Sequence, residues 1–117
     1  MPGPRIYSAV LAALLAVVAV VGAWAEPRVF ALTLRDSRLP EPQRVIRVQQ
    51  GDEVTLQWTT DRPLTLHLHG YDIEENLTPK TPVSMRFTAR ATGRFPIEIH
   101  GAGGTERIVG YLEVHPR

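Results

Sequence analysis

Hydrophobic and polar residues alternate with period two along most of the chain after residue 26. In the stretch EVTLQWTT, Val54, Leu56 and Trp58 fall on one face of an extended strand, and the residues between them fall on the other. This part of the chain shows no helical stripe of useful length. The pattern predicts about seven short strands, in RVFALTLR, RVIRVQQ, EVTLQWTT, LTLHLH, VSMRFTAR, RFPIEIH and RIVGYLEV.

Turn-forming residues separate these strands at intervals of roughly 8–12 residues. Gly51-Asp52 and Thr92-Gly93 indicate tight turns, and three stretches rich in proline, glycine or polar residues indicate connections: DSRLPEPQ, IEENLTPKTP and GAGGTE. Neither an internal repeat nor a linker is visible. The predicted fold class is therefore all-β, a Greek-key antiparallel β-sandwich formed by one domain over residues 26–117.

Residues 1–25 have the composition of a secretory signal peptide. Arg5 precedes an uncharged run rich in alanine, valine and leucine, and Ala23 and Ala25 form a small-residue cleavage site. A retained membrane anchor is the alternative, because roughly 20 uncharged residues can just span a bilayer. We expect a signal-peptide helix here and a periplasmic or other extracytoplasmic location for the domain, with membrane contact only if the segment stays uncleaved.

Charge and cysteine content exclude several classes of function. The chain has 13 basic and 12 acidic residues, and residues 1–25 contain a single one of them, Arg5. Such a balanced charge gives no overall attraction to nucleic acid or to an anionic membrane surface. The sequence contains no cysteine, which excludes disulfides, a thiolate nucleophile and a thiolate metal ligand.

The stretch LTLHLHGYD carries the clearest candidate chemistry. Alternation sends Leu64, Leu66 and Leu68 to one face of a strand and places His67 and His69 on the other, with Cα atoms roughly 6.5–7 Å apart. Two imidazoles at that spacing can converge on one ion, with nitrogen–metal distances of about 2 Å. Imidazole suits copper, zinc and nickel, so the pair alone does not select a metal.

A metal site needs a third ligand, and His100 is the candidate. It ends the strand RFPIEIH and lies on the same side as Glu98, so it completes a three-nitrogen site if the two strand ends are close. Asp72 and Glu98 are weaker candidate oxygen ligands. The alternative is that the histidines form the ordinary polar face of a half-buried strand. No serine has a histidine and acid context for a hydrolase, so we expect no enzyme.

The run from Arg44 to Pro116 resembles the cupredoxin family of small exported copper proteins. Four pieces carry the resemblance, in family order: IRVQQGDEVTLQW, HLHGYD, FTARATGRFPIEIH and GYLEV. They match the glycine-turn strand pair, the histidine-bearing strand, the penultimate strand and the closing strand. The resemblance is narrower to short bacterial members with an HxHGYD stretch, and it implies a Greek-key β-sandwich.

The sulfur ligands of the electron-carrying members are missing from this chain. The resemblance places Ile99 at the cysteine position and Ile108 at the methionine position, and GAGGTE lacks the loop histidine. Because a cysteine thiolate makes the blue centre, the chain is not expected to form one. The resemblance implies that the family's metal-binding histidine on the middle strand corresponds to His67 or His69. His100 follows Ile99, the residue at the cysteine position.

The leading hypothesis is an exported cupredoxin-like protein that binds copper through His67, His69 and His100. It would serve copper handling rather than electron transfer, as Cu(II) in a nitrogen and oxygen centre or Cu(I) through imidazoles. Its partners would be the copper ion and a copper donor or acceptor protein. The alternative is a metal-free β-sandwich that has lost its site and acts as an accessory or interaction module.

Overall fold

The computed structural model describes residues 26–101, 104 and 106–117. The signal peptide predicted over residues 1–25 lies outside the described residues. Within the described part of the chain, no helix has the length and the apolar character needed to cross a membrane.

Eight strands account for most of the described chain, one more than the alternation predicts. A short 3-10 helix, Glu41–Gln43, follows the first strand. The strands are β1 (Pro27–Leu34), β2 (Val45–Gln49), β3 (Glu53–Thr60), β4 (Leu64–Leu68), β5 (Ile73–Leu77), β6 (Val83–Thr88), β7 (Gly93–Gly101) and β8 (Glu106–His115).

The strands form two sheets that face each other across one core. The smaller sheet has the order β1-β3-β6, and the larger has the order β2-β8-β7-β4-β5. Strands distant in sequence become neighbours, as in a Greek key, and the predicted all-β sandwich is confirmed. The sheets are mixed, however, because β1 pairs with β3 and β2 pairs with β8 in parallel. The turn at Gly51 consequently carries the chain from one sheet to the other rather than closing a hairpin.

Apolar side chains from alternate positions of both sheets fill the core. Trp58 and Met85 come from the small sheet, and Leu66 and Ile99 come from the large one, each with at most 1% of its surface exposed. Burying side chains of this size stabilises the fold by about 1.5–3 kcal/mol each. The buried apolar set also includes Leu32, Leu34, Leu39, Ile46, Val48, Val54, Leu56, Leu64, Leu68, Leu77, Ala89, Ile97, Val109, Leu112 and Val114.

The stretch IEENLTPKTP, expected to be a connection, contains the edge strand β5. Three of the five residues of β5 are acidic or amide residues, so the sequence shows no alternation of apolar and polar residues there. Leu77 is buried and pairs with Leu64, while Glu75 pairs with Leu66. A charged residue on an edge strand discourages pairing with other chains, because extending the sheet would desolvate the charge.

Asp52 connects three separated parts of the chain at one end of the sandwich. Its side chain is 1% exposed and accepts hydrogen bonds from the backbone N–H groups of Gln49 (2.9 Å) and Glu26 (3.4 Å), and it pairs with the guanidinium of Arg117. Burial acts to raise the pKa of Asp52. These hydrogen bonds and the charges of Arg117 and Arg28 outweigh burial and hold the pKa below its ordinary value.

Candidate metal site

The two histidines of LTLHLHGYD stand on the outer face of the large sheet. Leu64, Leu66 and Leu68 of β4 enter the core, and His67 alternates with them on the other face. His69 continues the strand direction past the end of β4, because its backbone N–H donates to the carbonyl of Pro96 at 3.0 Å. The two imidazole centroids are 4.2 Å apart and the ring planes are tilted by 49°. The side-by-side arrangement expected from the alternation is present.

His100 lies on the same face of the sheet, on the neighbouring strand β7. In the antiparallel register Thr65 is opposite His100, and His67 is opposite Glu98. The strand proximity that the three-histidine hypothesis requires is therefore present. The three imidazole rings are not all in direct contact, because the carboxylate of Glu98 lies between the ring of His69 and the ring of His100.

The carboxylate of Glu98 contacts one imidazole with each oxygen. Its Oε2 is 3.4 Å from Nε2 of His69, and its Oε1 is 3.3 Å from Nε2 of His100. The Glu98 side chain is 22% exposed, so its charge is partly shielded from water. Glu98, noted from the sequence as a weaker candidate, is thus the group that joins the two strands' histidines.

Glu106, which the sequence analysis missed, flanks His100 on the opposite side. It opens β8 directly across from His100 in the β7–β8 pairing, and its Oε1 is 3.3 Å from Nδ1 of His100. Donor atoms of Glu98, His100 and Glu106 all lie within 4.8 Å of one another. The sequence does contain a signal for this contact. If RFPIEIH and RIVGYLEV are paired as a hairpin around the glycine-rich loop, Glu106 falls opposite His100.

Nε2 of His69 is a polar atom that the described residues leave unsatisfied. It is shielded from solvent and has no hydrogen-bond partner among them, because the contact with Glu98 lacks the alignment of a hydrogen bond. A buried polar atom without a partner costs about 1–3 kcal/mol. A cation placed between His69 and Glu98 would use this lone pair, so the residues present fit a bound metal ion.

His67 faces a different carboxylate. Its Nε2 is 3.7 Å from Oδ1 of Asp72, whose side chain is fully exposed. An exposed pair at this distance contributes little to stability. His67 is therefore adjacent to the group formed by His69, Glu98 and His100, but it is oriented across the turn that follows β4.

The turn Gly70-Tyr71-Asp72 fixes the position of His69. Gly70 has a φ of +85°, and a Cβ at this position would overlap the ring of Phe95. The hydroxyl of Tyr71 donates to the carbonyl of Ala91 at 2.8 Å, and its ring packs edge-on to Phe95 with centroids 5.1 Å apart. The HGYD stretch therefore has a structural role in addition to presenting a histidine.

Ile99 and Ile108, which occupy the positions of the family's sulfur ligands, lie on opposite faces of the large sheet. Ile99 is 1% exposed and enters the core between the sheets. Ile108 is 47% exposed and lies across from Glu98 in the β7–β8 register. The fourth histidine, His115, pairs with Glu113 at 3.3 Å and lies opposite Gln49, away from the other three.

No family model matches the sequence, and no curated protein matches it. Solved structures do match it. The chain is similar to the blue copper oxidase of Nitrosomonas europaea, at 20% identity and a TM-score of 0.59, with 78% of this chain covering 39% of that one. It is similar to a chain of a heme-copper terminal oxidase dimer, at 18% identity and a TM-score of 0.61, with 93% of this chain covering 88% of that one.

The copper-containing nitrite reductase of Thermus scotoductus SA-01 is also similar, at 20% identity and a TM-score of 0.61. This chain covers 28% of that chain and 39% of the blue copper oxidase, so it spans well under half of either protein. At these identities the likeness concerns the fold. The fold is the cupredoxin-like β-sandwich found in domains of copper proteins, and the predicted resemblance is confirmed at that level.

Proposed function

We propose that this chain is an exported, cupredoxin-like protein that binds copper at a non-blue site and serves copper handling rather than electron transfer. The proposed ligands are His69, Glu98 and His100, with His67 and Glu106 adjoining them. We propose a binding role without catalysis, in a periplasmic or other extracytoplasmic location, with a copper donor or acceptor protein as partner.

The arrangement of Glu98 carries this proposal. One carboxylate contacts imidazole nitrogens from two different strands, and the nitrogen on His69 is buried without a hydrogen-bond partner in the described part of the chain. A metal-free polar face does not require such convergence, because each histidine could point to water. Two imidazoles and a carboxylate form a reasonable open coordination set for a divalent ion.

The donor set favours copper in its divalent state. The sequence has no cysteine, and Met85 is buried in the core, so the described residues offer no sulfur ligand that would favour Cu(I). Among common first-row divalent ions, nitrogen and oxygen donors hold Cu(II) most tightly. Imidazoles must be neutral to bind a metal, so affinity should decrease as the solution becomes acidic.

Copper titration of histidine variants tests the proposal. We expect His69→Ala and His100→Ala each to weaken Cu(II) binding by at least about 10–100-fold, the range known for groups that support metal sites. Glu98→Gln should weaken it as well, because the amide loses the negative charge. Isothermal titration of the purified protein, with absorption spectra that lack an intense blue band, provides the measurement.

His115→Ala is the matched control, since His115 lies away from the cluster and pairs with Glu113. Equal weakening in His115→Ala would show nonspecific histidine binding and contradict the proposed site. Unchanged affinity in both His69→Ala and His100→Ala would favour the metal-free alternative, in which the histidines form the ordinary polar face of the sheet. Titration with Cu(I) in parallel determines which oxidation state the site prefers.

A further inference from the structure

A groove lined by arginines crosses the end of the sandwich where β7 leads into β8. A cavity of about 410 Å³ is lined by Arg38, Arg44 and Arg107, and a second of about 340 Å³ is lined by Arg38, Arg62 and Arg107. Because both cavities share Ser37, Arg38 and Arg107, they form one continuous depression. We call it the arginine groove, defined by these four arginines.

Three of the four arginines of the groove form no ion pair with an acidic residue in the part of the chain that the structure describes. Arg62 pairs with Asp36 at 3.0 Å and with Asp61 at 3.1 Å, so its charge is compensated. Arg38, Arg44 and Arg107 form no ion pair with any described carboxylate, and Nε of Arg44 donates to the carbonyl of Leu39 at 3.1 Å. Asp36 also lines the second cavity, but it is paired with Arg62. Three uncompensated guanidinium groups on one groove create a local positive potential, although the chain as a whole is nearly neutral.

The metal-site carboxylates do not neutralise these charges. Glu106 is adjacent to Arg107 in sequence, but alternation along β8 sends the two side chains to opposite faces of the sheet. Glu106 contacts His100 at 3.3 Å on the outer face, whereas Arg107 is paired with the inward-facing Ile99. Arg107 and the histidine cluster therefore lie on opposite faces of the sheet, whereas Ile108, the next residue of β8, lies on the face of the cluster.

The walls of the groove are partly apolar. Leu39, Ile108 and Val109 line the larger cavity, and Ile108 is 47% exposed. Both cavities are partly open to solvent, and neither is fully enclosed. Small-molecule sites typically enclose most of their ligand, whereas an open groove suits an extended chain segment. The complementary occupant is a segment that carries carboxylates together with an apolar side chain.

We propose that the arginine groove is the docking site for an acidic segment of a partner protein. Carboxylates of the segment pair with Arg38 and Arg107, in the bidentate geometry that guanidinium groups favour, and an apolar side chain covers Ile108. Ile108 lies opposite Glu98 in the β7–β8 register, so a docked partner borders the histidine cluster. The docking itself does not depend on copper binding.

A labelled peptide of alternating glutamate and leucine tests the docking, with fluorescence anisotropy at low ionic strength as the readout. We expect the peptide to bind, salt to weaken the binding, and the double variant Arg38→Gln/Arg107→Gln to bind at least about tenfold more weakly. A peptide with glutamine in place of glutamate should not bind. The variants His69→Ala and His100→Ala should bind the acidic peptide normally, which separates this proposal from the copper site.

The double variant Arg86→Gln/Arg90→Gln is the matched control. It removes the same charge from exposed positions that do not line the groove, and circular dichroism verifies that each variant folds. Equal loss of peptide binding in this control would attribute the effect to net charge and overturn the proposal. Absence of peptide binding by the unmodified protein would overturn it too. Displacement of the peptide by succinate or inorganic phosphate at comparable concentration would identify a small-anion site instead.

Discussion

Replacing Asp52 by asparagine is expected to lower the free energy of unfolding by about 2–4 kcal/mol. The side chain is 1% exposed, and its two oxygens accept hydrogen bonds from Gln49, Glu26 and Arg117. An amide presents a donor where these groups need an acceptor, which leaves a buried N–H without a partner. Loss of the charge also leaves Arg117 uncompensated, although that side chain is 37% exposed and water reduces the penalty. Urea unfolding followed by circular dichroism measures the change.

Asp36→Asn is the control for this substitution. Asp36 is 80% exposed and has a φ of +52°, a conformation that asparagine also tolerates. We expect its effect to stay within about 0.5 kcal/mol, as for most surface substitutions. If Asp52→Asn cost no more than Asp36→Asn, the role of Asp52 in connecting the β1 start, the β2 end and the C-terminus would be refuted.

Acid pH should remove the contribution of Asp52 gradually. Its pKa in the folded protein lies below the ordinary value of 3.8. The contribution to stability is therefore complete above about pH 4 and is lost as the pH falls through the lowered folded-state pKa. Asp52→Asn should show a weaker decline of stability in this acidic window than the unmodified protein. Urea unfolding at a series of acidic pH values detects the difference, and parallel declines would argue against it.

The second large effect is expected from Gly70→Ala, with a loss of about 2–4 kcal/mol. A φ of +85° disfavours any residue with a Cβ, and the added carbon would lie 2.7 Å from Cε1 of Phe95, closer still to Cδ1. Phe95 cannot simply turn away, because the ring of Tyr71 packs against it. Chemical unfolding of the variant gives the stability, and copper titration should show weaker binding because His69 immediately precedes the displaced turn.

Gly51→Ala separates backbone strain from steric overlap. Gly51 has a similar φ of +90°, but a Cβ there meets nothing within 4 Å. Its alanine variant should lose only about 1 kcal/mol, which reflects the conformational preference alone. Copper affinity should be unchanged in Gly51→Ala. Equal destabilisation of the two variants would show that contact with Phe95 is not what requires glycine in HGYD.

The proposed site and the arginine groove suggest how copper exchange could be organised. The histidine cluster lies on a sheet face, with Glu98 shared between β4 and β7, and the groove lies where β7 ends and β4 begins. A partner held by Arg38 and Arg107 would be adjacent to the cluster without contacting its ligands. Docking variants should therefore alter the rate of copper exchange with an acidic partner and leave the equilibrium copper affinity unchanged.

Much of the fold was predictable because alternation is a local property of the chain. Strands with clear period-two burial, such as β3 with Val54, Leu56 and Trp58, matched the structure closely. Strand β5 was missed, because Glu74, Glu75 and Asn76 occupy an edge where only one side of the backbone needs a partner. The parallel pairs β1–β3 and β2–β8 were also unpredicted, since pairing direction depends on connections that cross between sheets.

Part of the candidate site was predictable in the same way. The spacing of His67 and His69 fixes their common face, and His100 is on the same face of the neighbouring strand. The position of Glu98 between the imidazoles and the approach of Glu106 to His100 depend on strand register. Register is set by the whole sheet rather than by any one segment. Copper as the bound metal remains a prediction.

By itself, the sequence determined which side of each strand is buried and which ligand chemistry is available. A chain without cysteine has no thiolate to offer, whatever its fold. Only the tertiary structure decided which outward-facing side chains become neighbours, because strand pairing brings together residues that are distant in sequence. His69 and His100, for example, are more than thirty positions apart and both contact Glu98. The same assembly brought Arg38 and Arg107 together without an ion pair to any described carboxylate, since charge balance along a sequence does not fix charge balance on a surface.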